Sequence, residues 1–490
     1  MDFNTIIIGA GVSGIGSAIT LDKNKMGSYS ILESAEDLGG TWRTNKYPGV
    51  AVDIPSFVYQ FSFEPNYRWS RSFAEGDEIN DYLHHCAIKY DIKKHIQFNV
   101  RVSQVEFINE SHTWQVHLED GRTLISRYVI AATGIFHTPI FPKIPGRDLF
   151  KGKTMHTASW DNNYDYSNKR VGIIGTGASA VQVIPSIAPS VSRLSVFQRT
   201  PIWVGPKNDI VFTEKTKQRY ENDPSRYQKK VAQVDRFLNA LWFAMLYGTK
   251  IPFANKFSSL PQQKHLKRQV KDPELRKKLT PNYSYGCKRP AISDEYYQTF
   301  TRDNVDLINN GIERITETGI VTNDGKIIEL DLLIYGTGYE TTKKGNFPNF
   351  DIMGLEKVSL ADYWDKNGYQ SYNGVSVPGY PNLFLTSGPF SFGLNWFDQL
   401  ESNLHLLMRV MKNAKKKRST IIDVDKKRHE KHHQEAFNKS LNTLQLSPSC
   451  ATSNSYYIDG KGQNTLPAVV TPKYRYYKVR MMDLKGFKFG

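Results

Sequence analysis

The sequence predicts an α/β protein with two Rossmann-like dinucleotide-binding domains and a helical subdomain. Three observations carry that expectation. A short apolar run, Ile6-Ile7-Ile8, leads into Gly9-Ala10-Gly11-Val12-Ser13-Gly14. A second, Val171-Gly172-Ile173-Ile174, leads into Gly175-Thr176-Gly177-Ala178-Ser179-Ala180, 166 residues further on. Strand-like runs alternate with helical ones from the start, the pattern of a parallel sheet covered by helices.

In the first turn, Gly9 permits a tight bend, Gly11 lets the backbone approach a pyrophosphate, and Gly14 lets helix and strand pack closely. The helix that follows offers amide donors and the positive end of its dipole to phosphate. Nineteen residues past Gly14 stands Glu33, at the end of Tyr29-Ser30-Ile31-Leu32. A carboxylate there accepts hydrogen bonds from ribose hydroxyls and repels a 2′-phosphate, which suits FAD or NAD. The second turn carries Ala180 in place of the third glycine, with Ala178 and Ser179 opening its helix. Nineteen residues past Ala180 stands Arg199, followed by Thr200. A cation at that offset pairs with a 2′-phosphate, so this turn asks for NADPH. Between the turns, Gly39-Gly40-Thr41-Trp42, Tyr47-Pro48-Gly49-x3-Asp53 and Tyr59 extend the first site.

Bulk properties fit this plan. A chain of 490 residues is too long for one ordinary core, so two or three domains are expected. The hydrophobic fraction is 39% and no run approaches the roughly 18 apolar residues of a membrane helix, so a soluble protein with no integral membrane segment is expected. The chain enters a strand at Phe3, so no leader is expected. Cys86, Cys287 and Cys450 lie far apart, which implies no disulfide framework and a reducing, cytoplasmic setting. His429, His432 and His433 are not framed by other ligands, and no metal is expected. The formal charge of +16 comes without any nucleic-acid-binding motif. Lys415-Lys416-Lys417-Arg418 and Lys426-Lys427-Arg428 read as solvated surface, and the positive field would steer an anionic nucleotide.

The expected division is residues 1–137 plus 330–490 for the first domain and 138–329 for the second. A lysine-rich helical insertion is expected at about 206–285. Its apolar patch, Phe237-Leu238 and Leu241 to Leu246, reads as the face of a cap packed on the second domain, with a membrane-surface helix over 237–254 as the alternative.

Between the turns stand Phe150, Gly152, His156 and Trp160, spaced Phe-x-Gly-x3-His-x3-Trp and closed by Asp161. This stretch resembles the fingerprint of the Baeyer–Villiger monooxygenases, within the class B flavin-dependent monooxygenases. The resemblance covers nearly the whole chain: the first turn, Gly39-Gly40-Thr41-Trp42, Tyr47-Pro48-Gly49-x3-Asp53, the fingerprint, the second turn, Gln198-Arg199-Thr200, Lys288-Arg289-Pro290 and Gly336-Thr337-Gly338-Tyr339. Flavin-containing and N-hydroxylating monooxygenases share the two turns, and Trp160-Asp161 discriminates against them.

The resemblance implies FAD and NADPH as cofactors, with a ketone and dioxygen as substrates. NADPH would reduce FAD, dioxygen would add at flavin C4a, and the peroxyflavin would attack the ketone carbonyl to yield an ester or lactone. Arg289 matches the family's catalytic arginine, Asp53 the aspartate that orients it, and Lys288 a contact to the nicotinamide nucleotide. His156 would support cofactor handling at the connector and is not expected to be the base. A monomer or weak homo-oligomer is expected. Departures fall on the substrate side: Ala51-Val52 where relatives often carry Arg-Cys, Phe390-Ser391-Phe392 in place of an asparagine-containing loop, and Ser455-Tyr456-Tyr457 where Ser-Trp-Tyr is usual. The alternatives are an S- or N-oxygenase with the same cofactors and a non-catalytic flavoprotein. A disulfide reductase would need Cys-x-x-Cys or Cys-x4-Cys, and the chain has neither.

Overall fold

The computed structural model describes residues 1–250 and 259–490. In chain order, β1 (Phe3–Ile8), α1 (Val12–Lys23), β2 (Tyr29–Leu32), β3 (Ile96–Gln97), β4 (Val102–Ile108), β5 (Thr113–Leu118) and β6 (Thr123–Ala131) come first. A second run holds β7 (Lys153–His156), β8 (Arg170–Ile174), α2 (Ala178–Ile187), β9 (Arg193–Phe197), α3 (Pro224–Tyr247), β10 (Val305–Ile308) and β11 (Leu332–Tyr335). The C-terminal part adds β12 (Asp351–Met353), β13 (Leu383–Leu385), α4 (Trp396–Lys417) and α5 (Pro472–Met481).

Two sheets result. The first has the order β12-β4-β5-β6-β1-β2-β3, with β13 also pairing β6. Its centre is parallel, Ile6–Ile8 lying between Ser30–Leu32 and Val129–Ala131. Ile6 and Ile7 are fully buried, and the strand reads as a continuous apolar run because both faces are covered. The second sheet, β10-β9-β8-β11-β7, is parallel throughout. Each sheet has its own core, one around β1, α1 and α4 and one around β8, α2 and β9. β11 is a strand of the second sheet, so that unit runs past the expected boundary at residue 329.

Two expectations are corrected. First, α3 does not pack on the second core. Its buried face, Leu238, Trp242, Met245 and Leu246, joins the core of the first sheet. There the Trp242 indole N–H donates to the carbonyls of Ala468 and Val470. The apolar stripe defines a buried face but says nothing of which core receives it. Of the segment 237–254, residues 251–254 lie outside the described residues.

Second, Cys287 and Cys450 form a disulfide, with Cα atoms 5.3 Å apart. They are 163 residues apart in sequence, and the fold alone brings their two loops together. The pairing removes the basis for the expected reducing compartment. Cys86 is free and buried. Among the described residues no helix is long and apolar enough to cross a membrane, and no cluster of His, Cys, Asp or Glu is placed to hold a metal ion. His429 Nε2 lies 2.7 Å from Gln370 Oε1, and His432 Nε2 accepts from the Asn373 amide.

Candidate active site

The two glycine turns are near-copies. Gly9 and Gly175 sit at φ of +105° and +111°, where a side chain would be strained. In each case the space for a Cβ is filled by the backbone that follows a neighbouring strand, Ala132 behind Gly9 and Gly336 behind Gly175. Gly11 and Gly177 are the N-caps of α1 and α2; neither helix has a side-chain cap, and neither carries an acidic residue in its first turn. Ala178 and Ser179 open α2 as expected. Both helices therefore present open amide N–H groups at their positive ends, the donor set a pyrophosphate needs. Gly14 packs on the Gly9 carbonyl, and the fully buried Ala180 takes that place in the second turn.

Glu33 is buried and already engaged. Its Oε2 accepts from the Ala10 amide at 2.7 Å and its Oε1 from the Ala35 amide at 2.9 Å. The carboxylate thus stiffens the turn, and its two oxygens have further lone pairs able to accept from other donors. Thr41 is exposed at the start of a short helical turn, Thr41–Thr44. The Tyr59 ring stands between Trp42 and Phe397, at centroid distances of 5.5 and 5.0 Å.

The Tyr47-Pro48-Gly49 segment has a role the sequence did not indicate: it is the seam between the two units. Tyr47 Oη donates to Gln182 Oε1 at 3.0 Å, and Gln182 Nε2 donates to the Ala51 carbonyl at 2.9 Å. Gly49 has φ of +81°, and a Cβ there would meet Ser186 Oγ and lie 2.8 Å from the Gln182 carbonyl oxygen. Gly49→Ala is therefore expected to cost about 1–3 kcal/mol of stability, read from a denaturant midpoint. An unchanged midpoint would mean that α2 can move aside.

Beyond this seam lies the charged centre. Arg289 Nε and Nη2 donate to Asp53 Oδ2 and Oδ1 at 2.8 and 2.7 Å, a bidentate pair, and Nη2 also donates to the Leu394 carbonyl at 3.2 Å. Both side chains are about three-quarters buried. Burial disfavours the guanidinium charge, but Asp53 outweighs it and holds Arg289 well above its ordinary pKa. Among the described residues Nη1 makes no hydrogen bond, so its N–H groups remain open to an anion. Tyr456 and Tyr457, whose rings lie 4.5 Å apart, are near enough to influence the guanidinium electrostatically. The Leu394 carbonyl was not legible as a partner because backbone acceptors leave no mark in a sequence.

The Lys288 ammonium lies 5.6 Å from the centroid of the Tyr283 ring, near enough to Arg199 to feel its charge. The Lys288 ammonium is pushed down to about 8, by burial first and then by the Arg199 charge. Arg199 is exposed and, among the described residues, makes no ion pair. A guanidinium without an ion pair, close enough to influence a half-buried ammonium, favours an anion there. Thr200 belongs to the same edge: its carbonyl accepts from Thr176 Oγ1 at 2.9 Å, tying it to the second turn.

The fingerprint residues sit where the chain crosses between sheets. The Ile140 amide donates to the Gly338 carbonyl and the Glu340 amide to that of Thr138, so the two crossovers run side by side. His156, 1% exposed at the end of β7, lies beneath them. Its Nδ1 accepts from the Ala158 amide at 3.0 Å, which leaves Nε2 as the protonated nitrogen, 3.3 Å from Thr337 Oγ1. Burial lowers its pKa, so the ring is a neutral brace. Phe150 packs into a small core with Ile315 and Tyr335, and Gly152 lies against its ring. Trp160 packs on the second core beside Tyr166, while Lys153 holds Asp161 at 2.6 Å.

Comparison with known proteins agrees with this arrangement. A family model for pyridine nucleotide-disulphide oxidoreductases matches residues 6–233, the stretch that holds both turns. A solved complex of OTEMO with FAD and NADP is 28% identical, covers 100% of this chain and 99% of its own, and superposes with a TM-score of 0.87. A Baeyer-Villiger monooxygenase of Streptomyces coelicolor is 34% identical over 98% of this chain and 92% of its own length. A Baeyer-Villiger monooxygenase of Pseudomonas aeruginosa is 36% identical over 85% of this chain and 79% of its own. With the paired turns, the crossover fingerprint and the Asp53–Arg289 centre carried in one fold, the chain belongs to the Baeyer–Villiger monooxygenase family.

Proposed function

We infer that this protein converts ketones into esters or lactones, using FAD, NADPH and dioxygen. The observation that carries this reading is the bidentate Arg289–Asp53 pair, about three-quarters buried, with Nη1 open. When bound, FAD supplies oxygen activation and NADPH the reducing electrons. The FAD unit is built on the first sheet, and Gly9, Gly11, Gly14, Glu33, Thr41, Trp42, Asp53 and Tyr59 line its site. The NADPH unit is built on the second sheet, with Gly175, Gly177, Ala178, Ser179, Arg199, Thr200 and Lys288. The two crossovers at 132–140 and 336–340 divide the units, and Phe150, Gly152, His156 and Trp160 brace that connection.

Inserting an oxygen beside a ketone carbonyl would build negative charge on oxygen twice, on the oxygen that attacks and then on the former carbonyl oxygen. The protein must stabilise that charge and exclude water. A guanidinium does so without proton transfer of its own, because it keeps its charge throughout the accessible pH range. Asp53 fixes the plane of the fork and leaves Nη1 as the edge presented to the anion. The match to the disulphide oxidoreductase model reflects the nucleotide folds. The one disulfide joins loops 163 residues apart, and its cysteines are 0% and 4% exposed beneath Trp203 and Tyr283, closed to thiol exchange.

The test is NADPH and oxygen consumption by the flavin-loaded protein with linear, cyclic and aromatic ketones and one thioether, products being identified by mass. Esters or lactones with one added oxygen are expected. Sulfoxide alone, with every ketone untouched, would place the protein among the heteroatom oxygenases.

A further inference from the structure

We propose that the outer face of α3 and α5 docks on an anionic lipid bilayer. The inner face of α3 is spent on the core, yet the opposite face is not polar. Phe237 is 64% exposed and Phe243 47%, with exposed Ala240 between them and Arg236, Lys229 and Lys230 toward the N-terminal half. Residues 236, 240, 243 and 247 share one stripe at helical spacing. On α5, Tyr474, Tyr477 and Met481 stand at i, i+3 and i+7, and Met481 is 80% exposed. The two helices meet where the Lys473 amide donates to Asn239 Oδ1 at 2.9 Å, beside the α3 stripe. Aromatic side chains from separate parts of the chain thus stay exposed among the described residues, on two helices that touch.

The charge of this surface selects the partner. α3 and α5 carry eight lysines and arginines against a single acid, Asp235. Of those eight only Arg475 is fully buried. An isologous contact with a second copy would set these like charges against one another. A single-stranded nucleic acid would use the cations and stack bases on the aromatic rings, but it gains nothing from Met481, the most exposed apolar side chain here. A bilayer bearing anionic headgroups uses both: cations meet the phosphates while phenylalanine, tyrosine and methionine enter the boundary with the acyl chains. Docking there would hold the enzyme where apolar ketones partition.

The experiment is co-sedimentation of the flavin-loaded enzyme with vesicles of phosphatidylcholine alone and of phosphatidylcholine with phosphatidylglycerol, at low and high salt. Partitioning about tenfold stronger onto the anionic vesicles is expected, weakened by salt. The Phe237→Glu/Phe243→Glu variant should lose about tenfold of that partitioning while keeping its flavin content and its NADPH oxidation with a water-soluble ketone. Tyr477→Ser/Met481→Ser, on the other helix, should do the same. Absence of binding to either vesicle would overturn the proposal. So would equal binding by parent and variants, since the attraction would then be charge alone. A concentration-dependent dimer in sedimentation velocity that Phe237→Glu/Phe243→Glu abolishes would also overturn it and assign the face to a second copy.

Discussion

Replacing Arg289 with alanine is expected to lower kcat/KM for ketone oxygenation by about a thousandfold while FAD content stays at the parent level. The separation follows from geometry. Arg289 touches Asp53 and the Leu394 carbonyl and makes no bond to either glycine turn, so its loss leaves the phosphate-binding amides in place. What disappears is the guanidinium that Asp53 holds in place. Oxygen consumption should continue without ester, because nothing then favours attack on the carbonyl over loss of the oxidant as peroxide. Arg289→Lys restores a charge but not the fork, and a point charge cannot accept the two-point constraint of Asp53; it should recover little. Asp53→Asn keeps one acceptor oxygen and should fall between parent and alanine variant, with the loss in kcat and little change in the KM for NADPH. An Arg289→Ala enzyme that still makes ester at a rate within tenfold of the parent would remove Arg289 from the mechanism.

Features set by local backbone needs were legible in the sequence; those set by convergence were not. Gly9 and Gly175 are dictated by a positive φ and by the backbone behind them, so two short motifs were enough to place both turns. The charge contrast between Glu33 and Arg199 is equally local, since each follows its strand directly. Gly49 was read as part of the nucleotide site because it neighbours Asp53. Its reason for being glycine lies in α2, more than a hundred residues away, and only the packed units reveal it. The Cys287–Cys450 bond was hidden for the same cause, a separation of 163 residues with no spacing rule to signal it. The face of α3 was legible and its partner was not: periodicity marks which side is buried, while the identity of the core beneath depends on how an inserted helix folds back. His156 is a middle case. Its motif marked it as important, but its role as a neutral brace needed the Ala158 amide and Thr337 to be in place.

Nucleotide choice should rest on Arg199 and Lys288. Arg199→Ala is expected to raise the KM for NADPH about ten- to a hundredfold while the KM for NADH stays within a factor of two or three. The asymmetry is the diagnostic part: a residue that served only to hold the fold would weaken both nucleotides alike. Lys288 adds a pH dependence whose sign follows from its lowered pKa of about 8, caused first by burial and then by Arg199. Below that value the ammonium is charged and attracts the nucleotide. As pH rises through it the free enzyme loses the proton, so binding must restore it and NADPH affinity falls. The KM for NADPH should therefore climb above about pH 8, with proton uptake on binding measurable by calorimetry in buffers of different ionisation enthalpy. Removing Arg199 lifts the like charge from Lys288, so Arg199→Ala should shift that limb to higher pH as well as weaken binding. A limb that stays put in Arg199→Ala would show that the two cations do not share a site.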